Sequence, residues 1–267
     1  MAGARDDVTM TFGGNATMLL RISGFTLLTD PSFLHRGDRA YLGKGLWTKR
    51  LTDPALQPTQ LPPLDAIVLS HMHGDHWDDI ATRHLDKATP VVTTQEAARR
   101  LDRKGFGATA DLEPWQQHVL GGDGEELRVT AVPGVHGPGP LARVLPPVMG
   151  SVLELVRDGA VSWRGYISGD TLYRPFLGEV LERCGPLDVL IPHLGGTKAL
   201  GLTVTMDARQ GADLVELLKP PVTVPVHFDD YDRFRSPLGD FLAEVGRRQL
   251  PGELRTVGRG DTVSLRA

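Results

Sequence analysis

Short apolar runs, punctuated by Gly, Pro, Asn and Asp, dominate the start of the chain. Residues 8–12, 16–23 and 25–29 are rich in β-branched and aromatic side chains and are separated by Gly13-Gly14-Asn15 and Gly24. That pattern predicts successive hairpin strands. Asp30-Pro31 closes the third as a turn. The run 65–70 is almost wholly apolar, as in a buried strand. Beyond it, amphipathic stretches at 78–86 and 95–104 predict helices around a strand at 89–94, and Gly105 ends the second helix. Further strands are expected at 127–132, 151–157, 161–168, 187–192 and 222–228, with helices at 174–183, 207–219 and 238–248. A closing strand pair is expected within 254–265, and a Pro-rich loop spans 138–147. The expectation is an α/β chain.

One long stretch has no period. Residues 32–64 are rich in Gly, Pro and basic side chains, and connections this long are uncommon unless functional or disordered. His35, Arg36, Arg39, Lys44, Lys49 and Arg50 make it locally positive, while Tyr41, Leu42, Leu46 and Trp47 give it packing groups. It reads either as a solvated loop or as a loop covering a substrate, whose charges would favour an anionic group.

Composition narrows the class. With 40% hydrophobic and 23% charged residues among 267, the chain is an ordinary globular protein of one large domain or two small ones. A net charge of -4 and an isoelectric point near 6.1 argue against a nucleic-acid partner. Cys184 is the only cysteine, which excludes an internal disulfide and fits a reducing compartment. No stretch reaches the roughly 20 apolar residues that span a bilayer. The N-terminal residues 1–7 are polar and lead into no secretory apolar core, so a cytoplasmic location is expected. No solenoid-type repeat is evident. A small-molecule substrate is the expected partner, and a homo-oligomer is compatible with the sequence.

The chemistry concentrates in Ser70-His71-Met72-His73-Gly74-Asp75-His76-Trp77-Asp78-Asp79. A surface turn carries one or two histidines by accident; three histidines and an aspartate in H-x-H-x-D-H order after a buried strand have metal-ligand spacing. In extended chain, residues i and i+2 point the same way, so His71 and His73 can converge on one ion. Gly74 permits a tight turn, and Asp75 stands where a helix could begin. Asp75 and His76 can then address a second point, which makes two adjacent ions more natural than one. His136, Asp170, His193 and His227 each stand where an apolar strand gives out, and strand ends gather at one edge of a sheet. His136, Asp170 and His227 read as further ligands, with His193 outside a set already complete. His84 and His118 lack such company and read as surface or core histidines.

Taken together, H-x-H-x-D-H at 71–76, His136, Gly169-Asp170 and His227 resemble the metallo-β-lactamase superfamily, in particular its binuclear hydrolases. The spaced motifs cover the chain from about 30 to 227. Gly13-Gly14-Asn15-Ala16-Thr17 and Leu27-Leu28-Thr29-Asp30-Pro31 resemble the branch holding L-ascorbate-6-phosphate lactonases and the phospholipase D enzymes acting on N-acylphosphatidylethanolamine. The resemblance implies an αββα sandwich, two mixed sheets face to face with helices outside, as a single domain over 1–267 with 32–64 as a candidate cover. It implies one metal on His71, His73 and His136, another on Asp75, His76 and His227, and Asp170 bridging. It also gives Asp30 a second reading, as the acceptor that fixes the tautomer of a ligand histidine. Two departures stand out. Asn15 occupies a position where that branch often has histidine, and Asp170 replaces the cysteine of zinc β-lactamases, which argues against antibiotic hydrolysis.

Such a ligand set predicts a hydrolase in which two divalent ions, about 3.5–4 Å apart, supply hydroxide near neutral pH. Asp75 is the candidate proton acceptor, and His193 the candidate donor to the leaving group or contact to substrate. Zinc suits the mixed nitrogen and oxygen donors, and manganese or iron also fits. Ester, lactone, amide and phosphodiester bonds all suit this core, so lactonase and phosphodiesterase are both expected classes. The Pro-rich stretch 141–149 could line an acyl pocket. An iron-dependent oxidoreductase on the same scaffold is the alternative, with a nuclease behind it; His73 disfavours the flavodiiron type, which carries an acidic residue there.

Overall fold

The computed structural model describes residues 7–122, 124–199 and 201–267, so most of the polar N-terminal segment lies outside the described residues. Strands β1 (Val8–Gly14), β2 (Thr17–Ile22) and β3 (Phe25–Thr29) form the expected antiparallel meander. The chain then leaves the sheet as a separate hairpin, β4 (Arg39–Gly43) and β5 (Leu46–Lys49). It returns as β6 (Ala66–Val68), parallel to β3. Helix α1 (Asp79–His84) leads to β7 (Val91–Thr94), and α2 (Gln95–Asp102) leads to β8 (Thr109–Leu112), both continuing the parallel half.

The second sheet repeats that plan. Strands β9 (Gln117–Gly122), β10 (Glu125–Pro133), β11 (Met149–Arg157) and β12 (Ala160–Ile167) run antiparallel. After α3 (Glu179–Cys184), β13 (Val189–Ile191) pairs parallel with β12. A short hairpin, β14 (Lys198–Ala199) and β15 (Leu202–Thr203), precedes α4 (Ala208–Leu218) and β16 (Val222–Thr223). Helix α5 (Leu238–Arg248) and β17 (Glu253–Leu254) complete the parallel half. The last strand, β18 (Thr262–Ser264), crosses back to pair with β1.

Period-two alternation divides each strand between two cores. Leu127, Val129 and Ala131 of β10 and Val189 and Ile191 of β13 face Met10, Met18 and Leu20 of the first sheet. The intervening Leu190, with Val152 and Tyr166, packs under α3, α4 and α5. Leu28, Ile67 and Val91 do the same under α1 and α2. The result is a four-layer αββα sandwich. Residues of β6 and β13 are buried throughout, as their continuous apolar runs require. Helix starts are marked chemically: the side chains of Asp78, Thr94 and Asp207 accept the N–H of Ala81, Ala97 and Gln210.

Several expectations need correction. Residues 32–64 are not uniformly structureless, because they contain the β4–β5 hairpin. Strands β8 and β9 were not expected; mostly exposed or half-buried, they carry little apolar alternation. The closing pair at 254–265 is no pair, since β17 and β18 belong to different sheets. The helix at 174–183 is a tight 3-10 turn at Pro175–Gly178 followed by α3. No helix among the described residues is long and apolar enough to cross a membrane.

Candidate metal centre

The polar strand ends meet at one edge of the sandwich. Asp30 follows β3, residues 70–76 follow β6, His136 follows β10, Asp170 follows β12 and His193 follows β13. His227 lies beyond β16, where Pro225 interrupts the ladder but Val224 and Val226 still donate to Leu190 and Pro192. This is the carboxyl end of the parallel strands, where open α/β sheets gather functional groups. Two glycines make the approach possible. Gly169 has φ +61, and a Cβ there would lie 2.6 Å from the Met149 carbonyl oxygen. Gly74 lies in the turn expected, and a second constraint falls on it: a Cβ would meet the Tyr41 backbone at 2.7 Å, because the β4–β5 hairpin rests directly on it. The helix likewise begins at Asp79, after Asp75 and His76 have turned towards the cluster.

Three groups of ligand atoms lie within 4.8 Å of one another around the cluster's centre: His71, His73 and His136; Asp75, His76 and His227; and His71, His76 and Asp170. A fourth, Asp30, His76 and His193, sits behind them. His71 Nε2 and His73 Nδ1 are 2.9 Å apart. His76 Nε2 lies 3.4 Å from Asp170 Oδ2 and 3.8 Å from Asp75 Oδ2, and His227 Nε2 lies 3.7 Å from the latter.

The opposite ring nitrogens are held from outside. His76 Nδ1 is 3.1 Å from Asp30 Oδ2, and the Nδ1 atoms of His136 and His227 are each 3.0 Å from the carbonyls of Val204 and Leu194. Ser70 joins in: its N–H donates to Asp30 Oδ1 at 2.7 Å, and its hydroxyl lies 3.0 Å from His71 Nδ1. Such contacts fix tautomers and turn Nε2 inward. Asp30 therefore occupies the acceptor position, beyond a turn residue's role. Asn15, Asp30 and His227 hold φ of +56, +38 and +62, a costly conformation for residues other than glycine. Asn15 ties the centre together, donating Nδ2–H to the Asp75 carbonyl and accepting the His227 N–H.

Burial and charge split the imidazoles into two kinds. Burial pushes His73 down to about 3, and His71 and His136 also fall, so these three are neutral. Burial opposes charge at His76 too, but the carboxylates of Asp170, Asp75 and Asp30 outweigh it and raise that ring well above the usual value. His227 is raised in the same way by Asp170 and Asp75. Asp170 is held well below the carboxylate range, against its burial, by His227 and His76.

Buried polar atoms ordinarily find partners. Here Nε2 of His73, His76, His136, His193 and His227 and Oδ1 of Asp75 have no hydrogen-bond partner among the described residues. Unpartnered nitrogen and oxygen donors buried side by side suit a metal ion.

Residues 26–228, more than half of the chain, match the family described as beta-lactamase superfamily domain. The chain belongs to the metallo-β-lactamase superfamily. It is 27% identical over 209 residues to a UPF0173 metal-dependent hydrolase of Pyrococcus furiosus, covering 75% of this chain and 86% of that one. The isothiocyanate hydrolase from Delia radicum gut bacteria superposes with a TM-score of 0.80 at 20% identity, covering 97% and 100% of the two chains. The diiron β-hydroxylase CmlA of Streptomyces venezuelae superposes at 0.69 and 18% identity, covering 98% of this chain and 54% of that one. At such identities the structures show a shared fold, which hosts both hydrolysis and oxidation. That Pyrococcus furiosus relative is named a metal-dependent hydrolase, and this chain carries His/Asp clusters able to hold a metal ion.

Beside the His/Asp cluster lies a small chamber of about 20 Å³ whose walls include His73, Asp75, His136 and Asp170. It adjoins a cavity of about 550 Å³, with which it shares Leu42, Leu46, His73, Leu145 and Ala199. The β4–β5 hairpin and the Pro-rich segment 141–147 wall that cavity. Of the basic residues noted at 36–50, only Lys44 lines it; Arg50 is wholly buried against Asp230 at 3.7 Å, and its guanidinium also donates to Ser32. The cations in the inner chamber are Lys198 and Arg233, which the sequence reading missed. Neither sits in a motif, and only the fold brings them to the site. His193 has no exposed surface, lies 3.2 Å from Asp170 Oδ1 through Nδ1, and is not among the residues lining either space. His84 is exposed and His118 half-buried, both away from the cluster.

Proposed function

We propose that this chain is a binuclear metal-dependent hydrolase, one domain over 1–267, that cleaves an ester, lactone or phosphodiester bond in a small anionic substrate. The convergence of His71, His73, Asp75, His76, His136, Asp170 and His227, with unpartnered buried atoms on His73, Asp75, His76, His136 and His227, supports it most. His71, His73 and His136 would hold one ion and Asp75, His76 and His227 the other, with Asp170 between them. Zinc suits these donors, and manganese or iron is compatible. Bound ions of this kind lower the pKa of a shared water and polarise the bond under attack. Asp75 has an unpartnered Oδ1 at the chamber wall and would accept a proton there. His193, buried behind Asp170, would hold that carboxylate in place; its burial removes the path to a leaving group that the sequence reading gave it. Gly13-Gly14, Ala16-Thr17 and Leu27-Leu28-Thr29-Asp30-Pro31 favour the lactonase and phospholipase D branch within the superfamily, from which Asn15 departs.

Elemental analysis of the purified protein, paired with bis-p-nitrophenyl phosphate and lactone assays before and after chelation, tests this reading. About two ions per chain and chelator-sensitive hydrolysis are expected, with both lowered in an Asp170→Ala variant. Predominantly iron with oxygen consumption and no hydrolysis would replace the proposal with an oxidoreductase.

A further inference from the structure

Three polar side chains of the inner chamber have no part in holding metal: Thr197, Lys198 and Arg233. Thr197 is 9% exposed, and its hydroxyl has no hydrogen-bond partner among the described residues. Arg233 is fixed at one point, its Nε–H donating to the Trp47 carbonyl at 2.7 Å. That bond uses Nε and leaves the two terminal nitrogens of the guanidinium without a described partner. Neither half-buried Arg233 nor the more exposed Lys198 takes part in any ion pair found among the described residues, and Arg233 differs in this from most of the chain's buried or half-buried arginines. Apart from the proposed ligands His73, Asp75, His136 and Asp170, whose carboxylates pair with histidines and not with these cations, the walls are Leu42, Leu46, Leu145, Ala199 and Val204.

We infer that Thr197, Lys198 and Arg233 form an anion subsite that receives a carboxylate or phosphate group of the substrate close to the bond being cleaved. This inference rests on the hydrolase reading and deepens it. Two cations and a free hydroxyl lining one chamber match the oxygen fan of such a group, and an arginine with free terminal nitrogens grips it through two parallel hydrogen bonds. The chamber holds little more than the anion and the reacting atoms, so the rest of the molecule extends into the larger cavity. There Leu141, Val144, Leu145, Pro146 and Pro147 present an apolar wall. The substrate class is thus an amphiphile whose anionic group lies within a few bonds of the scissile one.

A matched pair of esters tests this: mono-p-nitrophenyl succinate, anionic, and p-nitrophenyl butyrate, neutral, assayed on metal-replete protein. The native enzyme should prefer the succinate ester in kcat/KM. That preference should fall about tenfold or more in Lys198→Met and in Arg233→Met, the scale of a lost charged hydrogen bond. Lys198→Arg should retain most of it. Calorimetric titration of inorganic phosphate into the same proteins reads the subsite without turnover, and affinity should weaken by a similar factor in both methionine variants. Equal phosphate affinity in all of them, or an unchanged ester preference, overturns the subsite. Variant-dependent phosphate binding with neither ester hydrolysed overturns the hydrolase reading and leaves the subsite standing.

Discussion

Arg50→Met is the substitution whose outcome the structure determines most sharply. The guanidinium is fully buried, 3.7 Å from Asp230, and donates to the Ser32 carbonyl and hydroxyl at 3.1 and 3.0 Å and to the Thr52 carbonyl at 3.2 Å. It immediately follows β5 and so anchors the hairpin that walls the cavity. Methionine fills much of the volume but removes the charge and every donor. Breaking a buried ion pair costs about 3–5 kcal/mol, chiefly because the abandoned partner stays buried. Asp230 retains Arg259 at 3.0 Å and the Asn15 N–H at 2.7 Å, which places the expected loss near the lower end, ~3 kcal/mol. For a chain of this size, about 2–4 °C of Tm accompanies each kcal/mol, giving a fall of roughly 6–12 °C. Thermal unfolding by calorimetry reads the loss, and KM for any hydrolysed probe should rise as the hairpin loosens. Combining Arg50→Met with Asp230→Asn should cost less than the sum of the two single changes. A Tm within about 2 °C of native, or simple additivity in the double variant, would refute the account.

Other consequences can be measured directly. Gly74→Ala forces a methyl against the Tyr41 backbone at 2.7 Å, so it should destabilise by about 1–3 kcal/mol and speed protease cleavage within 39–49. Asp30→Asn removes the charge behind His76, 3.1 Å away, and should weaken metal binding by about 10–100-fold in chelator competition with the fold intact by circular dichroism. In the metal-free protein His76 and His227 are raised above the usual histidine value, whereas His71, His73 and His136 are lowered. Protons therefore compete with metal at Asp75, His76 and His227 as pH falls through the raised values, and hardly at His71, His73 and His136. Metal content measured against pH should fall first by the ion of the former group; simultaneous loss of both ions would contradict this.

Much of the centre was legible because its signals are local. H-x-H-x-D-H needs only i, i+2 geometry and the end of a buried strand, and the helices at 207–219 and 238–248 matched α4 and α5 because each carries a clear apolar stripe. What stayed hidden depends on long-range packing. Gly74 was read as a turn glycine and is one, but the close approach of the Tyr41 backbone, which no pattern near residue 74 encodes, also demands it. The basic segment 36–50 read equally as a solvated loop or as a cover favouring an anion; folding buries Arg50 in a structural ion pair, sets Lys44 in the larger cavity and brings Lys198 and Arg233, from elsewhere in the chain, to the chamber. Strands β8 and β9 carry too few buried residues to announce themselves.

The meeting of two similarly built sheets at one edge has a kinetic consequence. Each proposed ion takes two ligands from the turn after β6 and a third from the second sheet, His136 or His227, so either ion would act as a cross-link between the halves. The loops that separate these ligands are long, and their closure must precede any full coordination. Neither half alone would assemble either proposed site, which would make metal capture a late event in folding. Interactions absent from the folding transition state slow unfolding without hastening folding. The bound ions would thus lengthen the lifetime of the folded protein far more than they shorten its formation.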